Sequence, residues 1–305
     1  MAPKVTILIS TLNRRDFLEK TLWHIYETSD DSERDIWIWD NASEDDTPDF
    51  LGTIAKWPGV RCFRSEVGVG IMGSKPRMAA AVKTPFIFTM DDDMWQHHRG
   101  WVSAVARVLE NDPSIHQLSF GGVGDWTCNY GVVHAKEDRP FFRVPTIRPW
   151  PTPCLVPDDP VLPEGSCVVD VAGEKVIVPI NGPHLPFPYT GGCAGWRTDE
   201  IKTLLGSTQE KRAVADLTEV WGHPLAERGG TRAGLLMGYG FYHPSPGPLW
   251  HLGHGERYWE DKCRMAPSLY NRTSEEQASW LDVARRESGW GQPLEDPDVA
   301  LPTRT

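Results

Sequence analysis

The chain has 305 residues, 40% of them hydrophobic, which is enough for one large core or for a core plus an extension. A net charge of −11 with no Lys/Arg-rich run argues against binding along a long stretch of nucleic acid backbone. Six dispersed cysteines without a C-x-x-C pair argue against a zinc site and give no disulfide framework, and no apolar stretch reaches the ~18 residues of a membrane span. Val5-Thr6-Ile7-Leu8-Ile9 reads as a first strand, entered without a leader pattern, so a cytoplasmic setting is expected. After the polar turn Ser10 to Arg15, Leu18, Leu22 and Ile25 recur at helical spacing. Ile36 to Trp39 is a second apolar strand, ending in Asp40-Asn41-Ala42-Ser43. Thr47 is expected to cap a second helix with Pro48 at its first position and Phe50, Leu51 and Ile54 on its inner face. Val60 to Phe63 is a third strand, and Ser74 to Val82 a short helix before Phe86-Ile87-Phe88-Thr89. That last run does not alternate, so it reads as a strand buried on both faces. The order β-α-β-α-β-α-β predicts a mostly parallel central sheet wrapped by helices.

Three consecutive carboxylates, Asp91-Asp92-Asp93, follow directly on the fourth strand. Acids at that point put negative charge at the carboxyl edge of the sheet, where ligands of open α/β sheets sit. Adjacent carboxylates repel and raise one another's pKa unless a cation or donors stand between them. A hard divalent ion, Mg²⁺ or Mn²⁺, is the usual remedy, and it keeps phosphate oxygens among its ligands. A solvated turn before the next helix is the plainer reading of the same residues. Gly68-Val69-Gly70-Ile71-Met72-Gly73 is a literal G-x-G-x-x-G, but it follows the third strand instead of the first. It reads better as a flexible loop allowing close approach to a ligand.

Beyond the acids, Trp101, Val105, Val108 and Leu109 mark a helix and Ile115 to Phe120 a strand. Residues 121 to 165 are rich in Pro and Gly without a clean period. Cys167 to Val171 and Lys175 to Val178 flank Ala172-Gly173-Glu174 as a hairpin, so 121–188 reads as an insertion over the site. Tyr189 to Arg197 is a glycine-rich stretch in which Trp196 could stack on a ring or sit in the core. The same two readings apply to Trp95, Trp101, Trp126 and Trp150. A helical segment around Ala215 to Val220 precedes a late strand after Gly229-Gly230. Residues 256 to 305 are a polar extension with one amphipathic helix, Ser274 to Arg286.

Val5 to Arg14, Trp39-Asp40-Asn41-Ala42-Ser43-Glu44-Asp45 and Asp91-Asp92-Asp93, in that order and spacing, resemble a glycosyltransferase of the GT-A fold, and most closely the large inverting family 2. The resemblance covers residues 4 to 95 well and 189 to 255 in patches. It implies an α/β, Rossmann-like GT-A domain over 1–255, with a nucleotide-sugar-binding half (1–120), an acceptor-binding half (121–255) and a C-terminal helical extension (256–305). The activity implied is metal-dependent transfer of a sugar from a nucleoside-diphosphate donor, UDP-linked by family habit, to a hydroxyl acceptor. Carried over by position, Thr11, Asn13 and Arg14 would line the nucleotide pocket and Asp40 would accept hydrogen bonds from the base. Lys75 or Arg77 would meet base or phosphate, with Pro76 standing where the family often has Asn. Asp91 and Asp92 would lie with the donor, and Asp93 would ligate Mn²⁺ or Mg²⁺ together with Asp91. Glu219, or alternatively Asp216, would be the base that deprotonates the acceptor, and His251 or His243 a late metal ligand. The acceptor is left open among a glycan, a lipid-linked sugar, a protein and a modified nucleic acid base. The competing classes are a nucleotidyltransferase, against which Thr11-Leu12-Asn13-Arg14 lacks the glycine-rich phosphate loop, and a non-catalytic nucleotide- or sugar-binding module.

Overall fold

The computed structural model describes residues 3–66, 70–96, 98–123, 164–185, 193–205 and 221–242. Its first half alternates strand and helix: β1 (Val5–Thr11), α1 (Arg15–Thr28), β2 (Arg34–Asp40), α2 (Thr47–Ile54), β3 (Val60–Arg64), α3 (Gly70–Ala81) and β4 (Phe86–Asp91). There follow β5 (Trp95–Gln96), α4 (Trp101–Asn111), β6 (Ile115–Val123), β7 (Ser166–Val171), β8 (Glu174–Pro179), β9 (Cys193–Arg197), α5 (Thr198–Leu205), α6 (His223–Glu227) and β10 (Arg232–Tyr242). The strands form one sheet in the order β3-β2-β1-β4-β9-β6-β10-β8-β7, with β5 pairing on β10. The β3-β2-β1-β4 part is parallel, as is the β6-β10 pair, whereas β9 enters antiparallel between β4 and β6. The expected α/β architecture with helices flanking a large central sheet is therefore observed. Among the described residues, no helix is long and apolar enough to cross a membrane.

β1 is buried along its whole length and β4 up to its final Asp91, which explains why neither sequence alternates. One face packs on α1 and α4 through Leu18, Leu22, Ile25, Trp101, Val105 and Val108. Phe88 sits at the centre of that layer, with ring centroids 4.9 Å from Trp101 and 5.4 Å from Phe120. Each such buried ring contributes roughly 2 kcal/mol of apolar transfer. The other face packs on α3 and α5 through Leu8, Trp37, Met78, Ile87, Trp196 and Leu204.

The structure departs from the sequence expectations at three local points. α2 is preceded by Asp46 at the cap position, with no side-chain capping bond, so Thr47 lies inside the helix instead of capping it. α3 begins four residues before Ser74, so Gly70 to Gly73 form its first turn and Pro76 lies within it. Cys193 to Arg197 is a strand, and Trp196 is a core residue: it is fully buried and its indole Nε1 donates to Thr89 Oγ1 at 3.0 Å. Trp95 and Trp101 are buried as well, so the stacking-platform reading of these three tryptophans is corrected to packing. Trp126 and Trp150 lie outside the described residues. The hairpin forms as expected, with both residues of its turn, Ala172 and Gly173, at positive φ (51° and 88°), which suits the twist of a two-residue connection.

Candidate active site

Strand register levels the carboxyl ends of three neighbouring strands. Thr11 of β1 is the partner of Asp40 of β2, and Ser10 that of Asp91 of β4. The polar residues that end these strands therefore meet along one edge of the sheet, where the chain turns into α1, α2 and the acid turn.

Two loops are knitted together on the Asp40 side. Asn13 stands at φ 52°, a left-handed position that Asn tolerates better than most residues. Its backbone N–H donates to Ser43 Oγ at 2.8 Å, and its side-chain oxygen accepts from Glu44 N at 2.7 Å. Asn41 N donates to the Thr11 carbonyl at 3.0 Å. Asn13 is thus buried and holds the β1–α1 loop to the β2–α2 loop. Asp40 is fully buried; one oxygen accepts from Ser43 N at 2.8 Å and the other from Arg64 Nη1 at 2.8 Å. Arg64 also donates to the Ser43 carbonyl at 2.9 Å, and its side chain is 48% exposed. Arg64 escaped the sequence analysis, although β2 and β3 both end in a charged residue and Asp40 and Arg64 are register partners.

On the other side lie the three acids. Asp91 is the last residue of β4; Met94 N donates back to its carbonyl at 3.4 Å, closing a turn over 91–94. Lys75 of α3 has no solvent exposure, and its Nζ donates to Asp91 Oδ1 at 2.8 Å. Ser74, one residue earlier, shares a 2.6 Å hydrogen bond with Ser10. Arg14, at the start of α1, forks across the next two acids: Nη1 reaches Asp92 Oδ1 at 2.7 Å and Nη2 reaches Asp93 Oδ2 at 2.6 Å. The guanidinium carbon also lies 4.8 Å from the centroid of the Phe17 ring. These three charged side chains are each only 5% exposed, whereas that of Asp91 is 31% exposed. Burial pushes the Asp92 carboxyl above the usual carboxylate range, against the pull of Arg14, and the neighbouring Asp93 and Asp91 charges push the same way as burial. The Cys193 thiol is likewise held well up, by burial first and by Asp91 second, so it is inert as a nucleophile.

The acid turn is fastened from behind by α1. Thr21 Oγ1 donates to the Asp92 carbonyl at 2.7 Å, and His24 Nδ1 lies 3.0 Å from the Gln96 carbonyl. The Trp95 ring stacks near Phe17 (6.4 Å) and His24 (5.8 Å), and β5 pairs with β10 through Trp95–Tyr242 and Gln96–Phe241.

Of the sequence candidates, Thr11, Asn13, Arg14, Asp40, Lys75, Asp91, Asp92 and Asp93 come together on this edge. Arg77 is exposed, with its guanidinium 5.8 Å from the Trp39 ring centroid. Asp216, Glu219, His243 and His251 lie outside the described residues, and among the described residues no group of three His, Cys, Asp or Glu side chains is arranged to hold a metal.

The fold that carries this edge is shared with proteins of known structure. Structures with the same fold include S. aureus TarS 1-349 (TM-score 0.52, 13% identity), matched over 81% of this chain and 62% of the other. The same TarS fragment in complex with UDP-GlcNAc matches at TM-score 0.50 and 13% identity, over 81% of this chain and 63% of that one. The mannosyltransferase PcManGT from Pyrobaculum calidifontis, in complex with GDP-Man and Mn²⁺, matches at TM-score 0.50 and 17% identity, over 79% of this chain and 57% of that one. The chain thus spans about three fifths of the length of these neighbours. No curated protein sequence gives a significant match. The model of Glycosyl transferase family 2 matches residues 6–158, which include β1, Asp40 and the acid turn. The chain belongs to glycosyl transferase family 2.

Proposed function

We propose that the protein transfers a sugar from a nucleoside-diphosphate sugar to a hydroxyl acceptor with inversion, using a divalent cation on the acid turn. The observation that carries this reading is the meeting of Asp40, level with Thr11, and Asp91, level with Ser10, at one sheet edge, with Lys75, Arg14, Asp92 and Asp93 packed behind it. The two neighbours hold different nucleotides, GDP-Man in one and UDP-GlcNAc in the other, so the shared fold does not choose the base. The UDP assignment rests on the family resemblance of the Asp40 motif.

The donor chemistry fits Mn²⁺ or Mg²⁺. All three side chains offer hard carboxylate oxygens, and Asp91, the most exposed, directs only one of them at Lys75. Asp91 and Asp93 would hold the ion, with His243 or His251 as the further ligand. When bound, the ion stabilises the charge that develops on the departing nucleoside diphosphate, as a Lewis acid does.

The chain's own residues do the rest. Asp40, buried beside the half-exposed guanidinium of Arg64, would accept from the edge of a base, with Arg64 as the neighbouring donor. Lys75 holds Asp91 in place through the bond to one of its oxygens. Glu219, or Asp216, takes the proton of the attacking hydroxyl, and attack from the face opposite the diphosphate inverts the anomeric centre.

A thermal-shift screen of UDP- and GDP-sugars with and without Mn²⁺ tests this, followed by assay of free nucleotide release with a panel of acceptors. A melting temperature raised by one donor only when Mn²⁺ is present, and lost in Asp93→Asn, is expected. No rise with any donor removes the proposal. A metal-dependent rise without turnover in any chain carrying Glu219 points to a binding module.

A further inference from the structure

Arg14 goes beyond that reading, while resting on it for the identity of the ion. We propose that Arg14 is a built-in counter-cation on the acid turn, so that metal binding is an exchange in which the ion takes Asp93 as the guanidinium leaves it.

The geometry of the fork carries the inference. Arg14 bridges two consecutive carboxylates with one nitrogen on each, at 2.7 Å and 2.6 Å, in a place where all three side chains are 5% exposed. A divalent ion held by Asp91 and Asp93 would compete with the guanidinium for the Asp93 oxygens. Both cations on Asp93 would place like charges side by side in a poorly solvated site, where they repel strongly. The acids themselves do not depend on Arg14 for their position. The turn is closed by Met94 N on the Asp91 carbonyl, tied to α1 by Thr21 and anchored to β10 through Trp95 and Gln96. Removal of the guanidinium therefore leaves a placed pair of carboxylates, not a collapsed loop.

The pairing of the cluster points the same way: three carboxyl groups share two cationic side chains, Lys75 on Asp91 and Arg14 on the other two. The released guanidinium, at the beginning of α1 beside the acid turn, is a fork suited to phosphate oxygens. By linkage, whatever holds Arg14 away from the acids tightens the ion, and the ion in turn frees Arg14 for the donor's diphosphate.

The test uses the full chain without donor and follows the EPR signal of free Mn²⁺ during titration. Arg14→Met is expected to bind Mn²⁺ roughly ten-fold more tightly than the wild type, with Arg14→Lys between them because an ammonium covers only one of the two acids. Equal or weaker binding by Arg14→Met overturns the exchange and leaves the metal reading standing. Absence of Mn²⁺ binding by wild type and variant alike, both alone and with UDP, overturns the metal reading as well. If Arg14→Met does not fold, the wild type decides. Nitrogen-edited NMR of arginine side chains should show the restrained Arg14 Nη signals averaging as Mg²⁺ is added, and signals unchanged at saturating Mg²⁺ overturn the exchange.

Discussion

Lys75 and Asp91 face each other across the junction of α3 and β4, with the lysine Nζ 2.8 Å from one carboxylate oxygen and no part of the lysine open to solvent. The pair joins α3, whose first turn is Gly70 to Gly73, to the first acid of the turn. Lys75→Met is expected to lower stability by about 2 kcal/mol, less than for a fully buried pair because Asp91 can still reach water. Urea unfolding measures it, and an unchanged midpoint shows that the pair contributes nothing net. The companion change Asp91→Asn should cost more, since it strands the buried ammonium.

Asp40 and Arg64 supply a second prediction. Asp40→Asn keeps an oxygen for Ser43 N but turns an amide toward the guanidinium, two donors face to face. Nucleotide affinity should fall about ten-fold or more in calorimetric titration, whereas Arg64→Ala should fall less because its side chain is already half in water. A larger loss in Arg64→Ala than in Asp40→Asn would show that Arg64, not Asp40, makes the dominant contact.

Gly195 tests the packing that brings β9 between β4 and β6. A Cβ there would meet Val105 Cγ1 at 2.8 Å and Leu109 Cδ1 at 3.3 Å. Gly195→Ala should destabilise the protein by about 1–3 kcal/mol, and Val105→Ala in the same chain should restore part of the loss. A double variant whose loss equals the sum of the two single losses rules out the contact as the cause.

Asp112 fixes a pH dependence away from the site. Burial pushes its carboxyl up, but the hydroxyl and backbone N–H of Ser114 and the guanidinium of Arg232 outweigh this and leave it below its ordinary 3.8. A carboxyl with a depressed folded pKa stabilises the fold above the ordinary value, and that contribution is lost as pH falls through the lowered one. The stability gap between wild type and Asp112→Asn should therefore be full at neutral pH and close as pH falls through the lowered pKa, below the ordinary 3.8. A gap of equal size above and below that pKa assigns the effect to hydrogen bonding alone.

Much of the site's frame was legible because it depends on local pattern. The apolar run at Val5 announced a first strand, the non-alternating run at Phe86 announced a strand buried on both faces, and the acids following it announced a charged sheet edge. Arg14 was legible as a site residue but not as the partner of Asp92 and Asp93, because that pairing joins residues 78 and 79 positions apart. The place of Cys193 to Arg197 was hidden for the same reason. Glycines at 191, 192 and 195 give the stretch no strand pattern, and only the close approach of Val105 shows that Gly195 is small in order to pack. Arg64 needed the register of two parallel strands, which no periodicity within one strand reveals.

The position of β9 also dictates a timetable for synthesis. β4 leaves the ribosome about a hundred residues before the strand that covers its flank, a wait of roughly 5 to 20 seconds. Throughout that interval the nascent chain carries a naked apolar edge, the kind of surface that holding chaperones capture. Chains stalled just ahead of Cys193 should be cut readily by protease at the acid turn, and those stalled well past Tyr242, once that segment has cleared the exit tunnel, should resist.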